Sequence, residues 1–377
     1  MKKVHISLVG GQPIPVYIGI KNDGQASTIV LVCSSQSHYE AERIKEQFPK
    51  RNIEIQECHP TDLSQIEALA VSLKERFEDC EITVNLTGGT KLWSISFYSV
   101  FSEMPISKFV YVDQTNLITN LKTKESHYGS IATTTRFELY GTPLTSFTTL
   151  DEYSQDDIDN AKAIERIRKV NRNDFRKLTS DFDREKLERN VPIPPTENGS
   201  SIEYVYEENW ARISIQRKDK SETKELQSEH LFNILFNSGW FELKTAVELS
   251  KNPNVEKIWL NCEFADLGGS PKNEIDIIAD MGNRLFFIEC KTMIFNATDI
   301  DKFRSALRNF SGTSSTGVFV TNDMPSFLSG SKYGHAMEKC KDNDILTFNF
   351  SLWKKKPSLM PSLNETINSI LHVQNKR

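Results

Sequence analysis

No apolar run in this 377-residue chain is long enough to cross a bilayer, no Cys-x-x-Cys occurs among its six cysteines, and its seven histidines show no ligand spacing. The first absence excludes a helical membrane span. The second excludes a zinc ribbon and a disulfide framework, and scattered thiols suit a reducing, cytoplasmic setting. Two nucleotide-binding signatures are also missing. No Gly-Lys-Ser/Thr follows a glycine at the P-loop distance, and no three-glycine dinucleotide fingerprint is present. The net charge is -5, which argues against broad electrostatic capture of duplex DNA. Any nucleic acid must instead be met by a local basic cleft or by stacking on aromatics.

What the chain does have is a paired set of acids. One strand-sized segment carries Glu274 and Asp276, and the next carries Glu289-Cys290-Lys291. Side chains on a strand alternate, so Glu274 and Asp276 share a face opposite Ile275 and Ile277, as Glu289 and Lys291 do opposite Ile288 and Cys290. A two-residue turn centred on Gly282-Asn283 would set Asp276 against Glu289 and Glu274 against Lys291, with Cβ atoms roughly 4.5 to 5.5 Å apart. A longer turn would shift this by a residue or two. Facing carboxylates on a half-buried sheet repel, and a hard divalent cation relieves them. Mg²⁺ or Mn²⁺ takes oxygen ligands and lowers the pKa of a bound water. Lys291 fits beside it, to orient the water or to meet charge building on a phosphate. On these residues alone, a salt-bridged hairpin face competes with that reading.

The surroundings add to it. A helix is predicted from Trp240 to Leu249, with Phe241, Val247 and Leu249 inward and Glu242 in its first turn. Glu242 is therefore available as a third acid, with Glu229 as its rival. An apolar strand follows from Ile258 to Phe264, then the acidic hairpin, then a helix with Asp299 at its N-cap, then a strand from Gly317 to Thr321. Arg304 and Arg308 stand one helical turn apart behind the hairpin as candidate basic contacts.

The first third reads as an α/β unit. Apolar runs at Val4–Val9, Thr28–Cys33, Ile53–Ile55, Ile82–Leu86 and Phe109–Val112 alternate with helical stretches, which predicts a parallel sheet with helices on both faces. Three of these strands run into small polar loops: Gly10-Gly11-Gln12-Pro13, Ser34-Ser35-Gln36-Ser37 and Thr87-Gly88-Gly89-Thr90-Lys91. Ligands of such sheets bind at these strand ends. In the third loop, paired glycines let backbone approach a ligand, and the free N–H groups of the following helix attract anions. Phosphate is the natural guest.

Two resemblances follow from these motifs. Helix, strand, acidic hairpin, helix and strand resemble the core of the PD-(D/E)xK nuclease superfamily, with Asp276, Glu289 and Lys291 on the motif positions and Glu242 on its frequent helical acid. No Pro precedes Asp276. The resemblance implies metal-dependent phosphodiester hydrolysis, with Mn²⁺ or Mg²⁺ on Asp276, Glu289 and Glu242. Leu8-Val9-Gly10-Gly11-Gln12-Pro13-Ile14-Pro15 and Val84-Asn85-Leu86-Thr87-Gly88-Gly89-Thr90-Lys91 resemble the CRISPR-associated Rossmann-fold (CARF) sensors of cyclic oligoadenylates. In this order, the two are similar to the CRISPR ancillary nucleases of type III antiviral defence.

That family implies a homodimer whose sensor domains enclose one cyclic oligoadenylate, most often cyclic tetra-adenylate, and license cleavage of single-stranded DNA or RNA or nicking of duplex. By position, Gly10, Gly11, Gln12, Ser35, Gln36, Asn85, Thr87, Gly88, Gly89, Thr90 and Lys91 would line the ligand cleft. The expected domains are a sensor at 1–140, a linker at 141–225 with a charged helix (Asp156–Phe175) and a hairpin (Ile202–Gln216), and a nuclease at 226–377. The competing reading is a nucleotide-sensing DNA-binding regulator with an inert hairpin. Regulators of this sensor class usually carry a winged helix with a basic recognition helix, where this chain has opposed acids.

Overall fold

A computed structural model of the chain describes residues 1–180, 184–189, 191–265, 274–282, 284–292, 298–310, 315–323, 330–358 and 360–374. Two compact units emerge: residues 1–145 with the described residues of 264–272 and 308–315, and a second unit built from 146–263, 273–307 and 316–377. Among the described residues, no helix is long and apolar enough to cross a membrane.

The first unit holds a seven-stranded sheet. Its strands are β1 (Lys3–Leu8), β2 (Thr28–Cys33), β3 (Ile53–Glu57), β4 (Glu81–Asn85), β5 (Ser107–Val112), β6 (Leu117–Asn120) and β7 (Ser126–Tyr128), in the order β3-β2-β1-β4-β5-β6-β7. Pairing is parallel from β3 through β5 and antiparallel at β6 and β7. Alternating apolar residues fill both faces. Ile6, Leu8, Val30 and Val32 pack with Phe97 and Phe101 of α4 (Lys91–Ser102) and with α3 (Leu63–Arg76). Ile29, Leu31 and Cys33 pack with Val16 and Ile20 of α1 (Pro13–Asn22), Ile44 of α2 (His38–Glu46) and Leu139 of α5 (Thr133–Leu139). The expected parallel sheet with helices on both faces is present. Asp62 caps α3, accepting the Gln65 N–H at 3.2 Å. Strand order reverses between β1 and β4, the switch point at which such sheets open a crevice.

The second unit has a six-stranded sheet in the order β16-β15-β14-β13-β12-β8 and a three-stranded one in the order β11-β10-β9. The strands are β8 (Leu144–Thr149), β9 (Ser201–Val205), β10 (Trp210–Arg217), β11 (Lys220–Gln227), β12 (Lys257–Phe264), β13 (Glu274–Asp280), β14 (Leu285–Lys291), β15 (Ser315–Thr321) and β16 (Leu346–Asn349). Helices α6 (Gln155–Ile167), α7 (Arg172–Ser180), α8 (Arg184–Glu188), α9 (Leu231–Phe236), α10 (Gly239–Leu249) and α11 (Thr298–Phe310) accompany them, with α12 (Gly330–Asp342), α13 (Phe350–Lys355) and α14 (Leu363–Gln374) at the end.

Residues 141–225, expected as a linker, are largely built into this second unit. β8 forms the edge of the large sheet, and Ala161, Ile164 and Ile167 of α6 share one apolar core with Ile213, Phe241, Ile277 and Ile288. The single charged helix expected over Asp156–Phe175 is two helices, broken at 168–171. The expected hairpin is present with Asn209 in the left-handed region (φ 47°) at its turn, and β11 extends it to three strands.

Candidate functional site

The hairpin of β13 and β14 pairs Ile277 with Ile288 through Asp280 with Leu285, the expected register. One step further along, that register sets Asp276 against Glu289. Gly282 takes a φ of +73°, and the Met281 N–H donates to the Arg284 carbonyl at 3.0 Å, closing a two-residue loop; Asn283 lies outside the described residues. Ile275, Ile277, Ile288 and Cys290 are buried, while Asp276, Glu289 and Lys291 are only half-buried on the opposite face. Asp276 accepts the Cys290 N–H at 2.7 Å through one carboxylate oxygen. Lys291 Nζ lies 2.8 Å from Glu289 Oε1.

Asp276 and Lys291 open onto a cleft of about 620 Å³, whereas Glu289 does not line it. Glu242, Glu274, Asp276 and Lys291 line it, together with Asp299 and Glu263. Glu242 projects from the first turn of α10 and is buried, whereas Glu229 is exposed and does not line the cleft. Asp299 lies inside the first turn of α11 and not at its N-cap. Arg304 and Arg308 also lie on α11, half-buried and exposed respectively, and neither lines the cleft.

Crowding of acids sets the electrostatics. Burial, then the facing Glu289, pushes the Asp276 carboxyl up to about 8. Burial, then Asp276 and Glu274, pushes Glu242 well above the carboxylate range. Burial and the neighbouring Glu263 raise Glu274. Lys291 moves the other way: burial lowers it, but Asp276 and Glu289 outweigh burial and hold it firmly protonated. The donors are hard oxygens, and the charge pattern is the one a divalent cation relieves. Among the described residues, however, no three His, Cys, Asp or Glu side chains stand as a ready-made cage. Asp276 is engaged with Cys290 and Glu289 with Lys291, so a cation held among these carboxylates would complete its shell with water, as Mg²⁺ commonly does.

The rest of the described lining is uncharged and includes Asn233, Asn237, Ser238, Asn261, Ser146 and Thr148. Ser238 (φ 64°) and Asn261 (φ 52°) both adopt left-handed backbone. The sequence does not single these residues out, because isolated Asn and Ser residues carry no local signature. Glu263 is more accessible to sequence reasoning, since it sits directly across from Glu274 in the β12–β13 register.

In the first unit, the loops expected to hold a ligand meet at the switch point. A Cβ on Gly88 would stand 2.0 Å from the Leu8 carbonyl oxygen, and one on Gly10 would stand 2.9 Å from the Gly89 nitrogen. The ends of β1 and β4 are thus in backbone contact. Ser37 Oγ donates to the Val9 carbonyl at 2.9 Å, drawing the β2 loop to the same place and leaving Ser35 and Gln36 exposed. Gly11, Gln12, Gly89 and Lys91 are exposed, and Gln12 accepts a hydrogen bond from the Tyr140 hydroxyl at 2.9 Å.

The three polar side chains of the β4 loop are builders. Asn85 is fully buried and accepts from both the N–H (3.1 Å) and the hydroxyl (2.6 Å) of Thr87. Thr87 Oγ1 accepts the Val112 N–H at 2.7 Å. Thr90 caps α4, accepting the Trp93 N–H at 3.2 Å and donating to the Pro60 carbonyl at 3.1 Å.

Comparison with solved structures finds the same fold along nearly the whole chain. Can2 from Sulfobacillus thermosulfidooxidans, solved in complex with cyclic tetra-adenylate, superposes with a TM-score of 0.69 at 17% identity, covering 97% of this chain and 98% of that one. Protein VC1899 from Vibrio cholerae gives 0.66 at 13% identity, covering 94% of this chain and 95% of that one. Among curated proteins, none matches the sequence. Residues 4–138 match the family of the Card1 CARF domain. The N-terminal unit, with its switch-point loops at Gly10 and Gly88, therefore carries a CARF domain of the Card1 kind.

Proposed function

We propose that this chain is a divalent-cation-dependent nuclease switched on by a cyclic oligoadenylate, cyclic tetra-adenylate before other ring sizes, and that it works as a homodimer in CRISPR antiviral defence. The observation that carries the reading is the cleft lined by Glu242 and Asp276, both with raised carboxyl pKa, and by the protonated Lys291, which pairs with the neighbouring Glu289. A CARF domain on the same chain supports it, as does the fold shared with a protein solved bound to cyclic tetra-adenylate.

Asp276 and Glu289, with Glu242 as third ligand, would hold Mn²⁺ or Mg²⁺, which when bound supplies a Lewis acid and a water of lowered pKa. The Cys290 N–H fixes the Asp276 carboxylate in place. Lys291, protonated throughout the neutral range, places a positive charge where charge grows on the phosphate. Among the described residues lining the cleft, Lys291 is the one cation, and the uncharged lining offers amides and hydroxyls. Such a lining suits a single strand, DNA or RNA, whose bases present hydrogen-bonding edges. In the first unit, the exposed Gly11, Gly89 and Lys91 at the switch point suit the phosphates of a cyclic adenylate.

The test is incubation of the full-length protein with Mn²⁺ and labelled single-stranded DNA, single-stranded RNA or supercoiled plasmid, with and without cyclic tetra- and hexa-adenylate. Cleavage that depends on both metal and activator is expected. Intact substrates under every combination would overturn the reading.

A further inference from the structure

One buried ion pair joins the two halves of the acidic site from behind. Arg168, the C-cap of α6, donates to Asp323 through both guanidinium nitrogens, at 3.0 Å to Oδ1 and 2.8 Å to Oδ2. Both residues are buried, at 6% and 4% exposure. The same guanidinium stacks 4.8 Å from the centre of the Trp240 ring, and Trp240 lies on α10 two residues before Glu242. Asp323 in turn donates its N–H to the Thr292 carbonyl at 2.9 Å, immediately after Lys291. A second arm reaches α10 on the other side of Glu242: Asn322 donates to Asp323 at 3.1 Å and accepts from Lys244 at 2.7 Å. Asn349 clamps the turn from below by donating to the Asp323 carbonyl at 3.0 Å.

From this connectivity we infer that Arg168 and Asp323 are positioning residues, which set the distance between Glu242 on α10 and the Glu289–Lys291 end of β14. The inference rests on the nuclease reading of the cleft. Neither residue lines that cleft. Their bidentate geometry is what gives the pair directional force, because a guanidinium and a carboxylate in this arrangement fix orientation as well as distance. Partners behind metal-ligating side chains commonly change metal affinity or activity by 10- to 100-fold when altered. Arg172, half-exposed and 3.6 Å from Asp323, sits at the rim of the pair and does not share this role.

The experiment measures Mn²⁺ binding to the metal-free full-length protein by titration calorimetry, and the Mn²⁺ dependence of cleavage in parallel, for the wild type, Arg168→Lys, Lys244→Met and Arg172→Lys. Arg168→Lys keeps the charge and loses the fork. Lys244→Met leaves the Arg168–Asp323 pair intact and releases the α10 arm together with the Lys244–Glu165 ion pair at 3.0 Å, so it serves if the first variant fails to fold. Folding is checked by near-ultraviolet circular dichroism. Arg168→Lys is expected to bind Mn²⁺ at least about tenfold more weakly and to need correspondingly more metal for half-maximal cleavage, Lys244→Met to be weakened in the same direction, and Arg172→Lys to match the wild type. A merely structural pair would lower the melting temperature and leave the Mn²⁺ affinity of the folded protein unchanged. Folded Arg168→Lys and Lys244→Met proteins with wild-type Mn²⁺ affinity would overturn the inference alone. A wild type that neither binds Mn²⁺ nor cleaves removes the nuclease reading on which it stands.

Discussion

The strand-end loops of the first unit and the acidic cleft of the second solve opposite problems. In the loops, polar side chains satisfy one another and the backbone: Asn85 serves Thr87, Thr87 serves Val112, Thr90 serves Trp93 and Ser37 serves Val9. What remains facing outward is small, glycine-rich and neutral apart from Lys91. In the cleft, the side chains are in conflict, since Glu242, Glu274 and Asp276 all have raised carboxyl pKa. The loops are finished without a guest, and the cleft is relieved by one. Substitutions should therefore act differently in the two places: through folding in the loops, and through chemistry in the cleft.

The largest effects are expected at the cleft. Glu289→Gln, Asp276→Asn and Lys291→Ala should each reduce cleavage about a hundredfold or more. None should change the rise in melting temperature produced by cyclic tetra-adenylate in a thermal scan. Gly88→Ala should behave in the reverse way. Its new Cβ meets the Leu8 carbonyl oxygen at 2.0 Å, so about 1–3 kcal/mol of stability should be lost from the first unit in urea unfolding, along with the ligand-induced melting shift.

A third contrast lies in the helical acids. Glu242→Gln should weaken Mn²⁺-dependent cleavage, whereas Glu229→Gln, changing an exposed residue outside the cleft, should leave the rate as it was.

Titration separates the regions more finely. The folded Asp276 carboxyl is raised to about 8, while in the unfolded chain it returns to roughly 4. Between those values the folded state keeps a proton that the unfolded state has lost, so this contribution is fully present at low pH and disappears as pH rises through about 8. The metal-free protein should therefore melt at progressively lower temperature from pH 5 to pH 8 and level off above that. Asp276→Asn should flatten that slope, and Mn²⁺ should oppose it.

The smallest effect is expected at Lys91. Lys91→Ala removes an exposed charge without disturbing the α4 cap and should reduce, without abolishing, the cyclic-tetra-adenylate melting shift. Thr90→Ala is a poorer probe, because Thr90 caps α4 and its loss costs about 1 kcal/mol whatever the ligand does.

Legibility differed between the regions for physical reasons. The β13–β14 register could be read because alternation and a two-residue turn leave little freedom, and the parallel sheet because its apolar strands alternate with helices. The contribution of 141–225 to the second core could not. On α6, the buried Ala161, Ile164 and Ile167 are interleaved with Lys162, Glu165 and Arg166, so the segment reads as a charged helix within a linker. Charged builders also look like ligand contacts in one dimension. Arg168 and Asp323 are 155 residues apart, and no local pattern announces a pairing at that separation. Asn85 and Thr87 were expected to face a ligand, and their mutual hydrogen bonds emerge only when the loop is folded.

The most direct measurement of the central claim is cleavage of single-stranded DNA and RNA by wild type and Glu289→Gln side by side, in Mn²⁺, with and without cyclic tetra-adenylate. The account predicts cleavage by the wild type only when activator is present, and none by Glu289→Gln, although both proteins show the same activator-dependent melting shift. Equal cleavage by the two proteins would contradict it.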